Sequence, residues 1–213
     1  MTNKIVLGAV AYDAKVVTIW DGFQRWFASQ GLEFDYVLYS NYERPVEQHF
    51  RGAFDVAWNS PLARIETERV ARARRRTPRA LAMRDTDCDL TSVIPARALI
   101  DGEVDAACMI DGNLAAFSND GTLPRSATRV LAQTAKYDHC NFTVLDGVDE
   151  RSVARFRELL LGMRYDDASV RPLMDLEGLK AWREGRTQGY AQLERACDRF
   201  GWLREFLERM QAA

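Results

Sequence analysis

Two segments of this sequence repeat one short pattern fifty residues apart. Residues 50–58 (FRGAFDVAW) and 100–108 (IDGEVDAAC) both read apolar, x, Gly, x, apolar, Asp, apolar, Ala, and then Trp or Cys. The glycine suits the left-handed residue that ends a helix. The apolar stretch after it predicts a short buried strand. Such a unit is typical of the helix-to-strand turns of α/β domains, so its repetition predicts two α/β lobes of similar design that face a cleft.

Composition and charge exclude two classes of partner. The 213 residues include 29 Lys and Arg against 31 Asp and Glu, so no overall field would attract nucleic acid or acidic lipid. No apolar run approaches the roughly 18 residues that a membrane span needs. The first apolar strand begins at Ile5, which leaves no room for a signal peptide. As written, the sequence predicts a cytoplasmic protein, or a periplasmic or extracellular one if a leader has been removed.

Strands and helices alternate along the chain. Apolar runs predict strands at residues 5–10, 34–39, 54–58, 79–83, 90–94, 104–110, 130–133 and 141–145. Helical spacing of apolar residues predicts helices at residues 16–31, 42–51, 61–75, 114–117, 150–163, 176–183 and 190–210. The alternation over the first 75 residues indicates a parallel sheet covered by helices. The predicted fold class is therefore α/β.

Aromatic and polar residues follow the predicted strands. The carboxyl ends of parallel strands meet at one edge of a sheet, where α/β proteins bind ligands. The ligand-binding candidates chosen on this basis are Tyr12, Asp13, Lys15, Tyr39, Asn41, Tyr42, Trp58, Asn59, Ser60 and, after the second repeat, Asp111. Ser60 and Pro61 suit the start of a helix, whose N–H groups favour a small anion or a carbonyl oxygen. The same residues also fit a plain helix cap, and each of the others fits a simple loop position.

In this order, the elements resemble the type 2 periplasmic-binding-protein fold. The chain is similar to the phosphonate-type substrate-binding proteins of ABC importers in residues 4–12 (KIVLGAVAY), 50–63 (FRGAFDVAWNSPLA), 89–94 (DLTSVI) and 99–108. The resemblance implies two lobes, each a mainly parallel sheet flanked by helices. Residues 1–88 and 146–213 would form the first lobe and residues 89–145 the second. It also implies a small-molecule ligand and a transporter or sensor as partner.

One segment departs from the family's pattern. In the family, two strand–helix units separate the strand that matches residues 92–94 from the segment that matches residues 98–108. Here only Pro95, Ala96 and Arg97 intervene. Since a βαβ unit takes about 30 residues, roughly 60 residues of the second lobe are expected to be missing. The shortening is either natural or reflects a piece absent from this sequence.

Cys88, His139 and Cys140 form a second constellation. The resemblance implies that two strands cross between the lobes side by side, and residues 87–89 and 137–141 lie beside those crossings. His139 is therefore also a ligand-binding candidate. A thiol beside an imidazole loses its proton more easily and can act as a nucleophile or a soft-metal ligand. Alternatively, the two cysteines are small buried apolar residues. The four cysteines form no Cys-x-x-Cys pair, and we predict neither a metal nor a cofactor.

The sequence thus predicts a non-catalytic solute-binding protein that recognises a small polar or anionic metabolite in an interlobe cleft. The first alternative is a cytoplasmic enzyme on the same fold, in metabolite or cofactor-precursor biosynthesis, that uses Cys88, His139 and Cys140. A second alternative is a subunit whose reduced lobe is completed by another chain.

Overall fold

The computed structural model describes residues 4–12, 14–85, 89–90, 92–93, 100–102, 104–107, 109–119, 121, 123–124 and 126–212. The chain forms two compact units, one of residues 1–88 and 139–213 and the other of residues 89–138. The segment in which the shortening is predicted, residues 94–97, lies outside the described residues.

Strands and helices are numbered in chain order over the described residues. The strands are β1 (Lys4–Val10), β2 (Glu33–Tyr39), β3 (Val56–Asn59), β4 (Arg79–Arg84), β5 (Asp89–Leu90), β6 (Ser92–Val93), β7 (Met109–Ile110), β8 (Tyr137–Asp138), β9 (Asn141–Val144) and β10 (Trp182–Glu184). The helices are α1 (Lys15–Ser29), α2 (Glu43–Phe50), α3 (Pro61–Arg74), α4 (Asp111–Asn119), α5 (Glu150–Gly162), α6 (Arg171–Glu177), α7 (Ala191–Arg199) and α8 (Trp202–Ala212). A 3₁₀ turn, Gln188–Tyr190, precedes α7.

The first unit is built on a six-stranded sheet in the order β10-β4-β9-β3-β1-β2. Strand β1 pairs in parallel with β2 and β3, whereas β9 runs antiparallel to both β3 and β4. Asn141, at the start of β9, is therefore opposite Asn59 on one side and Met83 on the other. The carboxyl ends of β1 to β4 and the amino end of β9 consequently share one edge, which we call the strand-end edge. The predicted α/β class is confirmed.

The place of β9 corrects the predicted lobe boundary. Residues 139–145 were expected in the second lobe, but β9 is hydrogen-bonded between β3 and β4 in the centre of the first unit's sheet. All four residues of β9 are buried. A strand that is covered on both faces reads as a continuous apolar run, and that pattern does not tell which sheet the strand joins.

Aromatic side chains fill the main core of this unit. Helix α1 buries Trp20, Phe23 and Phe27 at helical spacing against the sheet. Phe142 of β9 lies 4.5 Å from Trp58 of β3, measured between ring centroids. Apolar burial of this kind supplies most of the free energy that favours the folded state. The core thus fixes the strands whose ends form the strand-end edge.

Two predicted elements after residue 170 are wrong. The helix expected at residues 176–183 ends instead at Glu177, because Gly178 takes the left-handed conformation with φ of 67°. The chain then forms β10, antiparallel to β4. The helix expected at residues 190–210 is broken at Gly201, whose φ is 75°.

The C-terminal helices pack on α3. Leu203 of α8 is buried with Ile65 and Tyr190, and Phe206 is buried with Val70 in a neighbouring cluster. Among the described residues, no helix is long and apolar enough to cross a membrane.

In the second unit, two short antiparallel pairs accompany α4. Strand β5 pairs with β8, and β6 pairs with β7. Of the described residues in the strand expected at 104–110, only 109–110 are in strand conformation, and residues 130–133 form no strand. The run at 130–133 is exposed at Val130 and Leu131, so its apolar character does not reflect a buried strand.

Candidate functional site

The start of helix α3 lies at the strand-end edge, directly after β3. Ser60 is the N-cap, and its Oγ accepts a hydrogen bond from the Ala63 N–H at 3.2 Å. The Arg64 N–H donates to the Ser60 carbonyl oxygen at 2.9 Å, and Pro61 has no N–H. Among the described residues, the Leu62 N–H has no partner. The first turn therefore offers the Leu62 N–H and the Ser60 hydroxyl proton at the positive end of the helix dipole.

Buried polar groups hold this edge in place. The Asn59 amide donates to the Thr67 hydroxyl at 3.4 Å, which ties the end of β3 to α3. The Asn141 amide donates to the Tyr190 hydroxyl at 2.7 Å, and that hydroxyl donates to the His139 carbonyl oxygen. Asn59 and Asn141 are both at most 1% exposed. Because buried hydrogen bonds of this kind are costly to break, they make the edge rigid.

A buried ion pair lies at the end of β4. Arg84 Nη1 is 3.8 Å from Glu177 Oε2, and the two side chains are 17% and 2% exposed. Arg84 Nη2 also donates to the carbonyl oxygens of Glu177 and Gly178. Burial raises the pKa of the Glu177 carboxyl, and the nearby positive charge of Arg84 opposes that rise. The pair forms here because β10 aligns Trp182 with Arg84, which brings the end of α6 to this edge.

Tyr12, which lies near this pair, and Tyr42 both stay neutral. Burial raises the pKa of Tyr12 to about 12, and the charge of Glu177 adds to the rise. Burial also raises the pKa of Tyr42. Both side chains are nevertheless partly exposed, at 51% and 41%. At neutral pH they present hydroxyl groups that can donate hydrogen bonds to a ligand.

His139 and Cys140 are adjacent but do not activate each other. The Cys140 backbone N–H donates to His139 Nδ1 at 2.5 Å, so Nε2 carries the proton of the neutral ring. Burial, with help from the Arg84 charge, lowers the pKa of His139 to about 3. Burial raises the pKa of the Cys140 thiol to about 12, against the weaker opposite effect of Arg84. A neutral imidazole beside a protonated thiol is not the activated pair that the enzyme alternative needs.

Several sequence candidates have structural contacts instead. Trp58 is 8% exposed and packs in the aromatic core. The Asn41 side chain accepts from the Arg44 N–H at 2.9 Å and so caps α2. Tyr39 packs on Phe54 with ring centroids 5.9 Å apart.

The remaining candidates divide into two groups. Lys15 is exposed at the start of α1, and its charge, like that of Arg84, opposes the rise that burial causes in the pKa of the Glu177 carboxyl. Asp13, Cys88 and the side chain of Asp111 lie outside the described residues. The described residues contain no group of three or more His, Cys, Asp or Glu that could hold a metal ion.

Sequence reasoning missed Arg84 and Glu177. Arg84 directly follows the strand predicted at residues 79–83, so the carboxyl-end rule applied to that strand would have found it. Glu177 could not be found in this way, because the predicted helix at 176–183 placed it inside a helix instead of at its end.

Comparison with known proteins shows which proteins the chain is similar to. Residues 95–190 match the family model of the ABC transporter, phosphonate, periplasmic substrate-binding protein. The resemblance to phosphonate-type substrate-binding proteins that the sequence indicated is therefore confirmed over this range, which is less than half of the chain. The matched range contains His139, Cys140 and Glu177, whereas Tyr12 and Ser60 precede it.

Solved structures of such proteins share the fold at low sequence identity. PhnD1 from Prochlorococcus marinus, in complex with methylphosphonate, is 12% identical with a TM-score of 0.75, over 94% of this chain and 99% of that chain. The binding component of an ABC phosphonate transporter from Pseudomonas aeruginosa is 11% identical with a TM-score of 0.65, over 100% and 99%. The periplasmic aliphatic sulphonate binding protein SsuA from Escherichia coli is 10% identical with a TM-score of 0.51, over 98% and 89%. No curated protein sequence matches the chain.

Proposed function

We propose that this protein is a solute-binding protein that holds a small oxyanion at the strand-end edge of its first unit. One observation carries the proposal: the start of helix α3, with Ser60 and the Leu62 N–H, shares this edge with neutral tyrosine hydroxyls and with Arg84. All of these groups donate hydrogen bonds or carry positive charge. An oxyanion accepts hydrogen bonds and carries negative charge, so it matches them.

The ionisation of the edge at neutral pH supports an anion over a cation. Arg84 and Lys15 are cationic, Tyr12 and Tyr42 are neutral, and the Cys140 thiol is protonated. Among the described residues, Glu177 is the carboxyl whose charge acts on Tyr12, and it is buried against Arg84. A ligand at this edge therefore meets hydrogen-bond donors and positive charge, while the Glu177 carboxyl is already paired with Arg84.

The relatives support the choice of ligand class. PhnD1 is in complex with methylphosphonate, and SsuA is a sulphonate binding protein. Phosphonate and sulphonate are both tetrahedral oxyanion groups with a carbon substituent. We therefore propose a ligand of this shape.

Calorimetry tests the proposal with a panel of small oxyanions. Methylphosphonate, inorganic phosphate, methanesulphonate and acetate are titrated separately into the protein. We expect saturable binding of one molecule per chain for at least one tetrahedral oxyanion. Phosphorus NMR of the same mixture should show methylphosphonate unchanged after a day, since binding without turnover is proposed. Absence of saturable heat for the whole panel contradicts the oxyanion proposal, and consumption of the ligand contradicts the non-catalytic role.

A transporter or sensor is the proposed protein partner, because the matched family model describes the binding component of an importer. The same match supports a periplasmic rather than a cytoplasmic location. Fractionation of cells that express the natural gene, followed by immunodetection, tests this location. Recovery with a cytoplasmic marker would contradict it.

A further inference from the structure

A cavity opens between helix α3 and residues 187–194. One of its lining residues, Tyr190, also contacts the strand-end edge, because its hydroxyl accepts a hydrogen bond from the Asn141 amide. The volume of the cavity is about 140 Å³, well above the roughly 10–15 Å³ that one water molecule needs. The lining residues on α3 are Arg64, Ile65, Glu68 and Arg72, and those on the facing segment are Thr187, Tyr190 and Glu194. None of these residues is among the candidates drawn from the sequence.

Arg64 brings a buried positive charge to this cavity. The residue is 3% exposed. Its Nη2 is 2.9 Å from Glu68 Oε2, but its Nε and Nη1 are buried without a hydrogen-bond partner among the described residues. A buried cation is stable only when it is paired and its N–H groups are satisfied. The half-buried Glu68 carboxylate pairs with Nη2 and leaves Nε and Nη1 of Arg64 unsatisfied.

The charged side chains around the cavity balance in number, because Arg64, Arg69 and Arg72 face Glu68, Glu194 and Asp198. Glu194 is held mainly by Arg69, at 3.0 Å, and Arg69 also binds Asp198 at 2.8 Å. Arg72 is more distant, 3.9 Å from Glu194 and 3.7 Å from Glu68. With the charges matched, the two unsatisfied nitrogens of Arg64 still require a hydrogen-bond acceptor. An acceptor with one negative charge can meet that need, while Glu68 and Glu194 oppose a second negative charge.

We propose that this cavity binds a small monoanion that carries a carboxylate. A carboxylate matches the planar guanidinium of arginine and brings one charge. Arg72 is 64% exposed on its side chain and can turn toward a bound group. Ile65 and the ring of Tyr190 give the ligand's carbon atoms an apolar wall, and Thr187 adds a hydroxyl. This inference is independent of the oxyanion proposed for the strand-end edge.

An NMR titration with sodium acetate tests the inference on the full chain labelled with ¹⁵N. Sodium chloride at equal ionic strength serves as the reference. We expect saturable shifts for the amides of residues 64–72 and 187–194 with acetate and none with chloride. Inorganic phosphate should bind these residues at least tenfold more weakly than acetate at pH 8, where it is mostly a dianion.

Variants on the same helix separate this site from the rest of the molecule. Arg64→Met should weaken acetate binding at least tenfold, and Arg72→Gln, on an exposed residue that leaves the fold intact, should weaken it several-fold. Arg75→Gln, at the exposed end of α3, should bind like the wild type. Any one of four results would overturn the inference. Two of them are shifts that fail to saturate and equal shifts with chloride. The other two are tighter binding of phosphate than of acetate and unchanged acetate binding in both Arg64→Met and Arg72→Gln.

Discussion

Removal of the Ser60 side chain distinguishes a binding residue from a plain helix cap. Ser60 Oγ accepts a hydrogen bond from the Ala63 N–H, and its hydroxyl proton remains available to a ligand. Asp149 caps helix α5 in a comparable way, since its Oδ2 accepts from the Ser152 N–H at 2.8 Å. Asp149 is not among the residues of the strand-end edge. The variants Ser60→Ala and Asp149→Ala therefore remove two similar caps, of which one is at the proposed site.

The two variants should have similar effects on stability and different effects on binding. Loss of an N-cap costs about 1 kcal/mol, which lowers the melting temperature by about 2–4 °C in a chain of this size. A hydrogen bond to a charged ligand contributes about 1.5–3 kcal/mol, so its loss in Ser60→Ala weakens binding by roughly tenfold to a hundredfold. Asp149→Ala should leave the affinity within about twofold of the wild type.

Calorimetric unfolding and isothermal titration, on the same preparations, provide both readings. The titrant is the member of the oxyanion panel that the wild type binds. Ser60→Thr, which keeps the hydroxyl, should recover most of the affinity. If Ser60→Ala binds as the wild type does, or if Asp149→Ala loses as much affinity, then Ser60 is only a cap and the reasoning about this edge is refuted.

Three further predictions concern buried groups. Because the pKa of Cys140 is raised to about 12, iodoacetamide should label it roughly a hundredfold or more slowly than a free thiol, as read by peptide mass spectrometry; fast labelling would contradict this. Burial raises the pKa of the Glu66 carboxyl from 4.5 to about 7, so the folded state loses stability as the pH rises between these values. Glu66→Gln should therefore add about 3 kcal/mol to the free energy of unfolding at pH 8 and nothing at pH 4, as measured by urea denaturation. An added Cβ at Gly8 would lie 2.3 Å from the Phe54 ring, so Gly8→Ala should cost about 1–3 kcal/mol in the same assay, whereas Gly162→Ala, with open space around it, should not destabilise.

Local patterns predicted the first half of the fold well. The strands near Ile5, Phe34 and Val56 and the helix that begins at Pro61 lie within one or two residues of their predicted positions. Each has a clear start or stop signal, such as the Ser60 and Pro61 pair or a glycine at a helix end. Because these strands are parallel neighbours in the sheet, the carboxyl-end rule also placed Tyr12, Tyr42 and Ser60 at a common edge.

The errors arose where tertiary contacts override local signals. Residues 182–184 became a strand because Arg84 and its neighbours in β4 offered a free sheet edge, which the sequence near Trp182 does not reveal. For the same reason, the pairing of Glu177 with Arg84 could not be predicted. The pKa of the Cys140 thiol could not be predicted from the sequence either. A neighbouring imidazole suggests a low thiol pKa, whereas burial, which the sequence does not show, raises it.

The most direct measurement of the central proposal is the chemical shift of the Leu62 amide during titration with the oxyanion that binds. A hydrogen bond from this N–H to the ligand should move its proton resonance strongly downfield and to saturation, with smaller shifts at Tyr12 and Ala63. Saturable binding with the Leu62 resonance unmoved would contradict the account, because the ligand would then occupy some place other than the start of helix α3.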